Sequence, residues 1–219
     1  MNRHTNLIIS YLTLRRLVGV LGMALPVIVV GGGFLQSSAI VQGSISGYYY
    51  TNMRDCFVGI LCGVGLFLIS YKGYDRIDDL IGTISGICAF GLAAFPTGTF
   101  SGHAVSVGMF LIDDSVSEHI HLTFGALFFL SLSFNSIFLF TRHEPGFMTR
   151  EKRRRNKTYR VCGVIMLSTT ATLTAYTSLL TGSAISRYNP VLILESIALL
   201  AFGISWLVKG ETLFRDKRG

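Results

Sequence analysis

The chain has 219 residues, of which 50% are hydrophobic and only 14% are charged, and its formal net charge at pH 7 is +7. Soluble domains carry about 25% charged residues, so this composition excludes an ordinary soluble globular domain. The mean hydropathy of +0.54 and the long apolar runs indicate an integral membrane protein that forms one transmembrane domain over residues 1–219.

Six mostly apolar stretches are long enough, or nearly so, to cross a bilayer as a helix, which takes roughly 17–25 residues. In chain order they cover residues 17–35, 55–71, 80–95, 121–140, 161–180 and 190–208. Backbone groups in lipid must be paired within their own segment, so we expect helices rather than open strands. The sequence therefore predicts an all-α bundle of six transmembrane helices.

The basic residues predict how this bundle sits in the membrane. If the N-terminus is cytoplasmic, all of the 19 Lys and Arg residues except Arg54 and Arg187 lie on the cytoplasmic side. This bias is a strong positive-inside signal. It predicts cytoplasmic termini and a basic cytoplasmic loop at residues 141–160, in a bacterial inner membrane. A eukaryotic membrane is the alternative.

The same basic residues account for the net charge of the chain. The run at residues 150–160 serves orientation and can also contact anionic lipid headgroups. Aromatic residues are not interleaved with it in the manner of a nucleic-acid platform, so we expect membrane lipids rather than nucleic acid as partners.

Two pairs of glycines stand at the spacing that lets helices approach closely. Gly59 and Gly63 lie in the second span, and Gly82 and Gly86 lie in the third. Small residues four apart pack against a neighbouring helix, either in the same chain or in a second copy. We expect packing within the bundle, with a homo-oligomer through either face as the alternative.

A polar pocket is predicted at the outward ends of the helices. The first outward connection is rich in tyrosine and serine and runs into Arg54 and Asp55. Glu195 lies in the sixth span, about 7.5 Å beyond Pro190 at the helical rise of 1.5 Å per residue. A carboxylate at that depth is costly and is a functional hypothesis by default. The candidate ligand-binding residues are Tyr49, Arg54, Asp55 and Glu195. A buried ion pair of Glu195 with Arg54 or Arg187 is the structural alternative.

The third outward connection carries a candidate metal site. Asp114, Glu118 and His121 share one face if they lie on a helix, and Glu118 and His121 have the Glu-x-x-His spacing of carboxylate metal sites. With His103 from the preceding loop, the candidate Zn²⁺ ligands are His103, Glu118 and His121. Asp113 or Asp114 would then act as the catalytic base. A solvated acidic loop is the competing interpretation, because the chain has no HExxH motif.

Three short motifs resemble a known group of membrane proteins. They are a Ser-x-Ser after the first span (Ser44 and Ser46), Phe-Pro-Thr after the third (residues 95–97), and a run of the form Ile-His-Leu-x-x-x-Ala-x-Phe-Phe at residues 120–129. Together they resemble bacterial six-helix proteins of the domain-of-unknown-function 998 type. That group is distantly similar to the damage-regulated autophagy modulator and GPI-remodelling membrane families. The resemblance implies a six-helix bundle with a role in membrane lipids, and it singles out His121.

Three functions follow from these features. The favoured hypothesis is an outward-facing pocket that binds a lipid headgroup or small molecule. The first alternative is a metal-dependent membrane hydrolase that acts on a lipid ester or amide. The second alternative is a small transporter or channel, suggested by the carboxylate of Glu195 and a fifth span rich in Ser and Thr.

Overall fold

The structure is a computed structural model that describes residues 3–35, 41–98, 106–142, 149–179 and 184–214. The α-helices are α1 (Arg3–Phe34), α2 (Arg54–Ser70), α3 (Arg76–Ala94), α4 (Asp114–Phe134), α5 (Arg150–Leu179) and α6 (Pro190–Lys209). A π-helical turn, Asn135–Leu139, continues α4, and short 3₁₀ helices cover Ser46–Tyr50 and Ala184–Tyr188. The strands β1 (Ser106–Val107) and β2 (Ile112–Asp113) form one small antiparallel pair. The predicted all-α class is confirmed.

Five of the six helices are long and apolar enough to cross a membrane. They are the helical stretches at Tyr11–Phe34, Arg76–Ala94, Asp114–Leu139, Arg150–Leu179 and Pro190–Lys209. The remaining helix, α2, has 17 residues. These helices indicate a multi-pass membrane protein.

The helices form a closed ring in chain order. Each helix packs against the next one, and α6 returns to pack against α1. Aromatic side chains fill the interior, where Phe202 lies between Phe128 and Trp206 with ring centroids 6.0 and 6.4 Å away. This ring brings residues from the two ends of the sequence next to one another.

Several helices begin earlier than the apolar stretches predict, because polar residues cap them. Helix α4 begins at Asp114 rather than at residue 121, and the carboxylate of Asp113 accepts a hydrogen bond from the backbone N–H of Ser115 at 2.9 Å. Asp75 caps α3 in the same way, through the N–H groups of Ile77 and Asp78. Such caps satisfy backbone donors that have no partner inside the helix.

The basic stretch predicted as part of a loop is helical over most of its length. Helix α5 begins at Arg150, so the loop prediction for residues 141–160 is corrected from that residue onward. Lys and Arg are good helix formers, and a basic run therefore extends a helix beyond the membrane as readily as it forms a loop.

One of the two predicted glycine pairs packs inside the chain. A Cβ added at Gly86 would lie 2.6 Å from the carbonyl oxygen of Gly65, and one at Gly82 would lie 3.0 Å from that of Leu68. Helix α2 therefore covers this face of α3. In the other pair, a Cβ at Gly63 would lie 3.6 Å from Cδ1 of Leu21 in α1, whereas one at Gly59 would meet nothing within 4 Å. Self-association through that face stays a prediction.

Candidate functional site

A cavity of about 490 Å³ lies between the first half of α4, the second half of α5 and the start of α6. Most of its lining is apolar, including Leu25, Phe57, Leu61, Leu92, Phe128, Phe129, Leu173, Val191 and Leu199. One corner is polar and is formed by Ser46, His121 and Glu195. The volume falls within the range of about 300–1,000 Å³ that small-molecule sites occupy.

Ser46 belongs to the first connection, between α1 and α2, which packs against the start of α6. The carbonyl of Gly43 accepts a hydrogen bond from the N–H of Leu192 at 3.0 Å. Next to it, the N–H of Ile45 donates to Oε2 of Glu195 at 2.6 Å. Ser46, the first residue of the 3₁₀ helix, then places its hydroxyl 3.2 Å from Oε1 of the same carboxylate.

Among the described residues, Glu195 is therefore held by the first connection and forms no ion pair with a cation. The guanidinium of Arg54 donates to the hydroxyl of Tyr49 at 2.6 Å, and that of Arg187 donates to the hydroxyl of Tyr188 at 2.7 Å. The ion pair considered for Glu195 does not form with either arginine.

His121 closes the polar corner from α4. The side chain is buried, with Nδ1 2.6 Å from the carbonyl oxygen of Phe95 and Nε2 2.9 Å from Oγ of Ser46. A carbonyl oxygen can only accept a hydrogen bond, so Nδ1 carries a proton. This contact fixes the tautomer and directs Nε2 at the serine hydroxyl.

For Ser46 to form hydrogen bonds with both neighbours at once, the trio needs one proton more than neutral His121, neutral Ser46 and ionised Glu195 carry. The hydroxyl of Ser46 has one hydrogen but would face two acceptors, Nε2 of His121 and Oε1 of Glu195. A proton on Glu195 completes a chain that donates from Glu195 through Ser46 to His121. A proton on His121 completes the reverse chain. Both arrangements satisfy every partner, so Ser46 can relay a proton between the two side chains.

Side chains from two other segments hold the turn after α3 in place. The carbonyls of Phe95, Pro96 and Thr97 accept hydrogen bonds from His121, from the hydroxyl of Ser117 at 2.7 Å, and from that of Tyr50 at 2.5 Å. Partial burial of the 43% exposed Tyr50, followed by the charge of Asp114, raises its pKa to about 12. Tyr50 therefore stays protonated and keeps donating. The three segments that carry the sequence motifs, namely Ser-x-Ser, Phe-Pro-Thr and the start of α4, meet here.

The candidate metal ligands are only partly described. Glu118 is exposed on α4, and its carboxylate lies beside Gly98. Both ring nitrogens of His121 already have hydrogen-bond partners, so a metal would have to displace one of them. His103 lies outside the described residues. Within the ranges that the structure describes, there is no group of three His, Cys, Asp or Glu side chains able to hold a metal, and Zn²⁺ binding stays a prediction.

The two candidate catalytic bases lie at the start of α4. Hydrogen bonds from the hydroxyl and then the N–H of Ser115 hold the pKa of Asp113 below its usual value. A carboxylate stabilised in its ionised form as a helix cap is a weak base. Asp114 is half-buried in the first turn of α4. Neither residue lines the cavity.

The structure does not bring the other predicted ligand-binding residues to Glu195. The guanidinium of Arg54 lies 4.3 Å from the ring centroid of Tyr49, and Asp55 is exposed in the first turn of α2. None of these three residues lines the cavity that contains Glu195. The residue that sequence reasoning left out of the site is Ser46, whose only signal was its place in the Ser-x-Ser motif.

The hydroxyl-rich helix α5 contributes to one side of the cavity. The hydroxyls of Thr170 and Thr174 donate to the carbonyls of Met166 and Thr170, at 2.8 and 3.0 Å. Bonds of this kind satisfy a hydroxyl within its own helix. The hydrogen-bonded polar cluster of the cavity is formed by Ser46, His121 and Glu195, and the lining also includes His119, Thr123, Thr177 and Ser178.

Comparisons with known proteins found no similar protein. The chain matches no protein-family model, no curated protein and no solved structure.

Proposed function

We propose that this protein is a six-span membrane protein that binds an amphiphilic lipid in the cavity between α4, α5 and α6. The supporting observation is a cavity with apolar walls and one polar corner, formed by Ser46, His121 and Glu195. A ligand with a hydrocarbon part and a polar head matches this division. In this proposal the hydrocarbon part contacts the apolar walls and the head contacts the polar corner.

The proposed topology rests on helix lengths and charge. Helix α2 has 17 residues, at the lower limit of a span, and it packs between α1 and α3 in the ring. With six spans both termini lie on one side, and the distribution of Lys and Arg assigns that side to the cytoplasm of a bacterial inner membrane. The polar corner then faces the outer half of the bilayer.

The rim of the cavity suits entry from the bilayer. Leu122 and Leu127 line the cavity and are 43% and 45% exposed, so apolar side chains stand where the cavity meets its surroundings. A hydrocarbon chain that moves past them from the membrane stays in an apolar environment. The head then exchanges hydrogen bonds with Ser46 and Glu195.

Filling the cavity is expected to remove the bound lipid. A Cβ at Gly125, which lines the cavity, would meet only Leu92 Cδ2, at an ordinary distance of 3.6 Å. Gly125→Leu therefore adds a side chain to the cavity without a backbone clash. Mass spectrometry of organic extracts from the protein purified in mild detergent should show a stoichiometric lipid in the wild type and only non-specific lipid in Gly125→Leu.

Gly59→Leu is the matched control, because it adds the same side chain on an open helix face. This variant should retain the bound lipid. Equal lipid content in the wild type and Gly125→Leu would contradict the proposal.

A second candidate function, acyl transfer, is favoured by the contact between Ser46 and His121. With Nδ1 protonated, Nε2 of a neutral His121 is a base 2.9 Å from the serine hydroxyl, which is the arrangement of an activated nucleophile. Oγ of Ser46 would attack the carbonyl carbon of a lipid ester while Nε2 takes the hydroxyl proton. The leaving alcohol would receive that proton from His121, and water would then hydrolyse the acyl-Ser46 ester.

A fluorophosphonate probe tests this second function, because such a probe labels activated serines. We expect labelling of the wild type, none in Ser46→Ala, and a rate in His121→Ala lower by about 10²–10⁴-fold, the usual contribution of a general base. Ser178→Ala, which alters another serine in the cavity lining, is the control and should label normally. Labelling that persists in Ser46→Ala would rule out the assignment, and loss on chelation would favour the metal-dependent alternative.

A further inference from the structure

A buried lysine marks the opposite end of the bundle from the cavity. Lys209 is the last residue of α6, and fourteen residues separate it from Glu195, about 21 Å along the helix. Its side chain is only 8% exposed. Its ammonium lies 4.7 Å from the ring centroid of Phe140 and 5.1 Å from that of Tyr74.

The ammonium of Lys209 has aromatic neighbours but no acceptor among the described residues. The hydrogen bonds and ion pairs of these residues include none that Lys209 makes through Nζ. An ammonium has three N–H donors, and aromatic faces attract its charge without accepting conventional hydrogen bonds. Burying such a group is costly unless an acceptor reaches it.

Arg15 of α1 has one unmet donor beside Lys209, although its side chain also hydrogen-bonds to Tyr71. The guanidinium carbon of Arg15 lies 5.4 Å from the ring centroid of Tyr71, and its Nε is buried without a hydrogen-bond partner. The charge of Arg15 is the strongest that acts on Lys209, and Lys152 and Arg155 add further positive charge. Positive charge from three helices therefore converges at one place.

The carboxylate of Asp78 also acts on Lys209, but the contacts that orient it come from elsewhere. Its Oδ2 accepts from the N–H of Tyr74 at 2.6 Å, and its Oδ1, which has no hydrogen-bond partner, lies 3.7 Å from Nη1 of Arg142. Asp78 is therefore oriented by the turn before α3 and by Arg142, and it forms no ion pair with Lys209 or Arg15 within the described part of the chain. The excess charge at this end is positive.

We infer that Lys209 and Arg15 form a binding site for a phosphate-bearing anion, separate from the cavity. Phosphate offers several acceptor oxygens and negative charge, which match the unmet donors of an ammonium and a guanidinium. The neighbouring Tyr71 adds a phenolic hydroxyl that can donate a further hydrogen bond. The anion is either a lipid headgroup phosphate or free phosphate.

The chain contains its own reporter for this site. Trp206 is the single tryptophan, and its ring centroid lies 5.1 Å from that of Tyr71 and 5.3 Å from that of Phe140. These are the rings beside Arg15 and Lys209. A ligand that changes either cation should therefore change the tryptophan fluorescence.

The test is a fluorescence titration of the full-length protein with two probes. One probe is inorganic phosphate added to protein in uncharged detergent. The other is reconstitution into vesicles of phosphatidylcholine with increasing phosphatidic acid, with sodium chloride at matched ionic strength as the reference. Saturation with inorganic phosphate identifies a free-phosphate site, and saturation only with phosphatidic acid identifies a headgroup site.

Substitutions decide whether the response belongs to the inferred site. Lys209→Met is expected to weaken binding about tenfold or more, the usual effect of losing a charge-assisted hydrogen bond, and Lys209→Arg should restore part of it. Arg15→Gln is the second variant in case Lys209→Met does not fold. Lys72→Met, which alters an exposed lysine paired with Asp79, is the control and should bind like the wild type. No saturable response to either probe, or an equal response in Lys209→Met and Arg15→Gln, would overturn the inference.

Discussion

Replacing Gly86 by alanine is expected to lower the free energy of unfolding by about 1–3 kcal/mol, the usual cost of overpacking. The new Cβ would lie 2.6 Å from the carbonyl oxygen of Gly65. That atom belongs to the backbone of α2, so relief of the clash requires the two helices to separate. Thermal and denaturant unfolding in mild detergent, followed by tryptophan fluorescence, measure the change.

Gly59→Ala provides the matched control in the neighbouring helix. Its Cβ would meet nothing within 4 Å, and alanine favours a helix over glycine by up to about 1 kcal/mol. The same substitution should therefore leave stability unchanged or raise it. If Gly86→Ala and Gly59→Ala had equal stabilities, the close packing of α2 on α3 would be contradicted.

A second close backbone approach joins α6 to α1 and closes the ring of helices. A Cβ at Gly203 of α6 would lie 2.6 Å from the carbonyl oxygen of Gly19 in α1, and one at Gly19 would lie 2.8 Å from that of Gly203. Gly203→Ala should destabilise the protein as Gly86→Ala does. The sequence does not indicate this contact, because Gly203 has no small residue four positions away on either side. Sequence alone also does not show which helix packs against α6.

Sequence patterns predicted the helices well because the bilayer constrains length and polarity. All six predicted stretches lie within helices or end within a residue or two of one. The ends of the helices were harder to predict, since Asp75 and Asp113 extend α3 and α4 beyond their apolar stretches. The charge of the basic run at residues 150–160 indicates its side of the membrane. It does not indicate whether the segment is helical, and α5 in fact begins at Arg150.

The candidate site could be predicted only in part. Glu195 stands out in the sequence because ionisable groups are rare in apolar segments, and His121 stands out through its spacing from Glu118 and its place in the motif at residues 120–129. Their common partner Ser46 lies 75 residues from His121 and 149 residues from Glu195 along the chain. Residue spacing predicts which side chains share a face of one helix. It does not predict which residues of three separate segments meet in the fold. For the same reason, the sequence predicts Glu195 together with Arg54 and Tyr49. In the structure the guanidinium of Arg54 instead donates to the hydroxyl of Tyr49.

The polar corner of the cavity is also expected to contribute strongly to the free energy of unfolding. Ser46→Ala should lower the free energy of unfolding by about 1–3 kcal/mol, because it leaves Nε2 of His121 and Oε1 of Glu195 without their common partner. Glu195→Ala should cost a similar amount, because the N–H of Ile45 loses its acceptor. Glu195→Gln should cost less, since its amide can accept from Ile45 and donate to Ser46 as a protonated glutamate would.

A double-mutant cycle distinguishes a connected chain from three separate side chains. If Ser46 links His121 to Glu195, the double variant Ser46→Ala/Glu195→Ala should cost less than the sum of its single variants, by about 0.5–3 kcal/mol. Thr174→Val supplies the control, because Thr174 lines the same cavity but its hydroxyl bonds to its own helix. Its effect should add to that of Ser46→Ala within about 0.3–0.5 kcal/mol. Additivity in both cycles would show that Ser46 and Glu195 are independent, and the proton relay between Glu195 and His121 would then have no physical path.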